Sequence, residues 1–76
     1  MGLEKFIKDF ETSVEAVEPG SLTAETRYRE LQAWDSLAVL TVTDTIEVEY
    51  GVLLNKKDFE SAVTIEELYQ RVARKR

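Results

Sequence analysis

Leu3, Phe6, Ile7, Phe10, Val14 and Val17 recur three and four residues apart, the spacing that lines one face of an α-helix. Glu4, Lys5, Lys8, Asp9 and Glu11 fall on the other faces. The pattern predicts a first helix over about residues 3–17. Pro19-Gly20 ends it, because proline cannot continue a helix and glycine tolerates the turn. Residues 18–34 have no such period. Ser21, Thr23 and Thr26 are turn and cap residues, and Leu22, Tyr28, Leu31 and Trp34 are too irregularly spaced for one helix. A loop of this length in a small domain has to be pinned. Leu22, Tyr28 and Leu31 are expected to pin it by inserting into a helical core, with short helical turns near 23–26 or 28–32.

The next stretch contains a conflict. Leu37-Ala38-Val39-Leu40-Thr41-Val42-Thr43 is rich in β-branched residues, and propensity alone favours a strand. Periodicity argues for a helix, since Val39, Val42, Ile46 and Tyr50 fall on one stripe at 3.6 residues per turn. Packing of a long apolar stripe overrides a weak propensity, so a helix is expected from Ser36 to about Tyr50, closed by Gly51. The same wheel leaves Leu37, Leu40 and Val48 roughly opposite the stripe, with Thr41 and Asp44 between them. Val52 and Leu54 then anchor a short loop, and Asn55 caps a brief helix through Glu60 with Phe59 inward. Thr64-Ile65-Glu66-Glu67 has the form of a capping box. It opens a last helix over about 65–74 with Ile65, Leu68, Tyr69 and Val72 on its apolar face. Arg71, Arg74, Lys75 and Arg76 gather at its end, where the helix dipole favours cations.

The expected fold is therefore all-α: a small four-helix bundle of three long helices and one short one, forming a single domain over residues 1–76. Its expected core is Phe6, Ile7, Phe10, Val14, Leu31 and Val39 together with Val42, Ile46, Tyr50, Phe59, Leu68 and Val72. A 76-residue chain is too small for a deep cleft walled by several layers. It has no Cys and no His, which excludes disulfides, thiolate metal sites and a Ser-His-Asp triad. A net charge of −5 argues against nucleic acid and suits docking on basic patches of larger proteins. No apolar run is long enough to span a membrane, and a cytoplasmic monomer is the expectation.

The stretch Ala33-Trp34-Asp35-Ser36-Leu37 carries the candidate chemistry. Asp35 and Ser36 are both good N-cap residues, and taken alone they need do no more than open a helix. Ser36 also lies where helix N–H groups and the macrodipole favour an anion, a suitable place for a phosphodiester. Asp-Ser-Leu at the start of the central helix, with this helix order and chain length, resembles the acyl carrier protein family. Carrier proteins of that family also have a long ordered loop before this helix and a short third helix after it.

The resemblance implies that Ser36 is esterified by 4′-phosphopantetheine, taken from coenzyme A by a phosphopantetheinyl transferase that supplies the base and the Mg²⁺. It implies a carrier rather than an enzyme, holding acyl groups as thioesters for acyl-loading and acyl-transfer partners of fatty-acid, polyketide or related biosynthesis. Asp35 and Leu37 flank the attachment point. The central helix is the recognition helix of the family, which assigns partner contacts to Leu37, Leu40, Thr41, Asp44, Glu47 and Val48, with Glu49 a further acid. Ala38, Thr41 and Val48 stand where family members often have a carboxylate. Trp34 replaces the small residue common before the aspartate, as in stand-alone carriers of secondary metabolism and in aminoacyl and D-alanyl carriers. An aminoacyl or peptidyl carrier and an unmodified helical adaptor therefore stay open as alternatives.

Overall fold

The computed structural model describes residues 2–76. Among them there are four α-helices and no strand: α1 Leu3–Ser13, α2 Ser36–Tyr50, α3 Lys56–Ser61 and α4 Ile65–Lys75, with a 3₁₀ turn at Tyr28–Glu30. The three-long-plus-one-short arrangement is the one the periodicities predict. α1 packs on both α2 and α4, and α3 closes against α4.

Phe6, Phe10 and Val14 from α1 and its end meet Val42, Ile46 and Tyr50 from α2. Leu68 and Val72 complete this core from α4. Burying one such side chain fully is worth about 1.5–3 kcal/mol, and this is what carries the β-branched α2 into a helix against its propensity. Its strand-like composition yields to packing.

Three expectations are corrected. α1 stops at Ser13, not near residue 17. The Val14 N–H turns back to the Glu11 carbonyl at 3.3 Å, and Val14 adopts an extended backbone that swings its side chain inward, 3 % exposed. Ile7, Leu31 and Val39 are half-buried at the edge of the core rather than inside it. The inward row of α2 is instead Ala38, Val42, Ile46 and Tyr50, in steps of four. Glu11, expected on a polar face, is buried. Its carboxylate accepts the N–H groups of Gly20 at 3.0 Å and Leu22 at 2.9 Å.

Those two bonds begin the pinning of the long loop. Leu22 and the fully buried Tyr28 insert as expected, and the Tyr28 hydroxyl donates toward the carbonyls of Phe59 and Ala62. Burial pushes the Tyr28 phenol up to about 12, so it stays a neutral donor. The loop in turn caps α4: the Thr26 and Ala24 carbonyls accept the N–H groups of Ile65 and Glu66 at 3.1 and 2.9 Å. The Thr64–Glu67 capping box forms as predicted, and Asn55 makes a second one with Asp58.

Candidate functional site

Trp34 is where the loop hands over to α2. Its ring stacks on Phe10 with centroids 5.8 Å apart and planes 9° apart, and meets Tyr28 edge-on at 5.0 Å and Phe59 at 5.8 Å. Aromatic pairs at such spacings add to the area they bury, so the residue before Asp35 is held on three sides. The backbone therefore enters α2 from a fixed point. Asp35 is the N-cap in extended conformation, and its Oδ1 accepts the Ala38 N–H at 2.8 Å. The Val39 N–H goes to the Asp35 carbonyl at 3.0 Å.

Ser36 is the first residue of α2 and is exposed. Its hydroxyl makes no hydrogen bond among the described residues, so it stands open to solvent. The dipole of the fifteen-residue α2 places partial positive charge at this end. No His exists in the chain and no Lys or Arg lies on α2, so nothing there activates the hydroxyl as a nucleophile.

Beyond Ser36, Leu37, Leu40, Thr41, Asp44, Glu47 and Val48 share one face. At about 100° per residue they fall within an arc of about 120°, opposite the row that starts at Ala38. Leu37 and Leu40 are 64 % exposed and Val48 73 %. Asp44 and Glu47 are exposed, and Thr41 is half-buried with its hydroxyl on the Ala38 carbonyl at 3.1 Å. Glu49 lies off this face and is engaged by Lys5 at 3.2 Å. Lys5 also holds Asp9 at 2.8 Å, and those two hydrogen bonds, Asp9 first, push its ammonium up. Tyr50 donates to the same Asp9 at 2.7 Å; burial and that bond push its phenol up to about 12. The α1–α2 seam is thus closed by charge at the end far from Ser36.

Leu53, just past the helix, is 64 % exposed as well. Helical periodicity gave no reason to select it, because it follows Gly51. The terminal cations do more than answer a dipole. Lys75 and Arg71 reach the buried Asp58 of α3 at 3.0 and 3.8 Å. No described helix is long and apolar enough to cross a membrane.

A family model described as phosphopantetheine attachment site, PP-binding, matches residues 11–72, which is most of the chain. No curated protein and no solved structure gives a significant match. Domains of that family are defined by a covalently attached 4′-phosphopantetheine group. They work with phosphopantetheinyl transferases and partner enzymes, and are carriers rather than catalysts. An all-helical chain matched from Glu11 in α1 to Val72 in α4 belongs to the phosphopantetheine-attachment family of carrier domains.

Proposed function

We propose that Ser36 is the attachment point, and that the whole chain is one acyl carrier domain. It holds acyl groups as thioesters and delivers them to enzymes of fatty-acid, polyketide or related biosynthesis. One observation carries the reading: the Ser36 hydroxyl is exposed and without a hydrogen-bond partner among the described residues, at the first position of the longest helix, inside the matched span.

In the transfer, a bond forms between Ser36 Oγ and the phosphorus next to the pantetheine while the pyrophosphate linkage of coenzyme A breaks, adenosine 3′,5′-bisphosphate leaves with the bridging oxygen and its electron pair, and the hydroxyl proton goes to a base on the transferase. The carrier presents the oxygen and orients it. The Asp35 cap and the Trp34 stack keep it at one place, and the helix dipole favours the phosphodiester that remains. When attached, the arm supplies a thiol, the one nucleophile this cysteine-free chain lacks. Asp35 keeps its second carboxylate oxygen for the transferase or its Mg²⁺. Leu37, Leu40 and Val48 give partners an apolar patch, with Thr41 inside it and Asp44 and Glu47 as its two acids. That composition suits a partner surface that is more apolar than basic.

Incubation with coenzyme A and a broad-specificity phosphopantetheinyl transferase should add one phosphopantetheine to the intact mass. Ser36→Ala should gain nothing while keeping its helical circular dichroism and its unfolding midpoint. A wild-type chain that stays unmodified with several transferases, or a Ser36→Ala variant that still gains the mass, overturns the assignment.

A further inference from the structure

Cations gather along the edge of the bundle made by α3 and the second half of α4. Residues 55–76 hold six of the chain's ten Lys and Arg residues but only four of its fifteen acids. The helix dipole accounts for Arg74 and Lys75, in the last turn of α4. It does not account for Lys56 and Lys57, which open α3 at the end where a dipole disfavours cations. Asp58 draws in Lys75 and Arg71, at 3.0 and 3.8 Å, and so brings the α4 cations to the same turn of α3 as the two lysines. Among the described residues no ion pair engages Lys56, Lys57, Arg74 or Arg76, and all four are exposed. Folding gains nothing from this crowding of like charge.

Along the same edge lies a cleft of about 220 Å³ between the end of α3 and α4, lined by Ser61, Ala62, Glu67, Gln70, Arg71 and Arg74. Lys57 stands one helical turn from Ser61, whose hydroxyl donates to the Lys57 carbonyl at 2.8 Å. Arg71 and Arg74 are three residues apart and share a face of α4. The acid in the lining is already engaged: Glu67 Oε1 accepts the N–H groups of Val63 at 2.7 Å and Thr64 at 3.4 Å. The cleft therefore offers a visitor two guanidinium groups and the Gln70 amide, all of which donate.

We propose that this edge binds an acidic segment of a partner protein, with one carboxylate seated between Arg71 and Arg74 and its neighbours along Lys56 and Lys57. Guanidinium forks pair with carboxylates through two parallel hydrogen bonds, which adds geometric selection to charge. The occupant is short, because residues 1–54 carry eleven acids against four cations and repel a polyanion that runs on past the edge. That disfavours nucleic acid. The cleft lining holds no large apolar side chain to enter a bilayer, which disfavours a lipid surface. None of these residues lies on α2, and the proposal does not depend on what Ser36 carries.

The probe is an N-acetylated hexapeptide of alternating Asp and Glu, titrated into the isotope-labelled chain at low ionic strength and followed by amide NMR. Shifts should gather at Lys57, Ser61, Gln70 and Arg74, and the affinity should fall as salt is added. Arg74→Gln should weaken binding about threefold, and Lys56→Gln with Lys57→Gln about fivefold, both with an unchanged unfolding midpoint. Lys8→Gln with Arg29→Gln removes the same charge at two exposed positions elsewhere, and should bind as the wild type does. Arg74→Lys keeps the charge without the fork and should stay weaker than wild type. Absence of binding, shifts centred on other elements, equal weakening by the two double variants, or full binding by Arg74→Lys each overturn the site. Duplex DNA or phosphatidylglycerol vesicles that move the same resonances more strongly than the peptide, at equal anion concentration and salt, overturn the choice of partner.

Discussion

Glu11 is a charged residue in a pattern that assigns it to solvent, yet it is one of two buried acids among the described residues. It is retained because two loop N–H groups, of Gly20 and Leu22, converge on its two oxygens. Removing an acceptor from buried donors exposes their desolvation cost, about 1–3 kcal/mol. Glu11→Ala is therefore expected to lose about 2 kcal/mol in urea unfolding. The amides of Gly20 and Leu22 should lose hydrogen-exchange protection while those of α4 keep theirs. Equal loss of protection across the chain would mean that the carboxylate does not act locally. Leu22 lines a hollow between residues 16–18 and the long loop, so this one carboxylate also shapes the surface there.

Between elements, α3 and α4 are joined through the second buried acid. Burial alone pushes the Asp58 carboxyl up, but the Asn55 N–H bond and the charges of Lys75 and Arg71 outweigh it and hold the group below its ordinary range. A carboxylate with a folded pKa below its unfolded one binds fewer protons when folded. Its stabilisation is whole above about pH 4, the unfolded value, and is lost as the pH falls from there through the folded value. Lys75 and Arg71 are each more than a third exposed, so water screens them and the cap bond is the larger part. Asp58→Asn should cost about 1–2 kcal/mol at pH 7, read from the urea midpoint. The gap between wild type and variant should close from about pH 4 downward. A gap that stays constant over that range would show that the carboxylate is not the group responsible.

At the scale of the molecule, the chain separates two surfaces of α2. The inward row holds the bundle, and among the described residues Leu37, Leu40 and Val48 on the outward face stay largely exposed. An exposed side chain contributes little to folding, so Leu40→Asp should leave stability within about 0.5 kcal/mol. If that face meets partner enzymes, the same change should lower the transferase kcat/KM for this carrier about tenfold, the equivalent of about 1.4 kcal/mol of binding. Gln70→Glu, a charge change on α4, serves as the comparison. Equal kinetics for both variants would remove the α2 face from the interface.

Element order was readable from the chain because it depends on local facts. Apolar spacing, the αL Gly51 and two capping motifs each act within a few residues, and α2 and α4 begin where those signals place them, whereas α1 ends six residues before Pro19, the stop that the sequence offered. The candidate serine was readable for the same reason, as part of a short motif at a helix start. Partners far apart in sequence decided the rest. Only the folded chain brings the Gly20 and Leu22 amides to Glu11, Lys75 to Asp58, and Trp34 onto Phe10. Only it shows that α1 must stop at Ser13, leaving a cleft between the turn that follows and α2. Periodicity reports which way a side chain faces from its own helix; what that side chain meets depends on where the other helices lie.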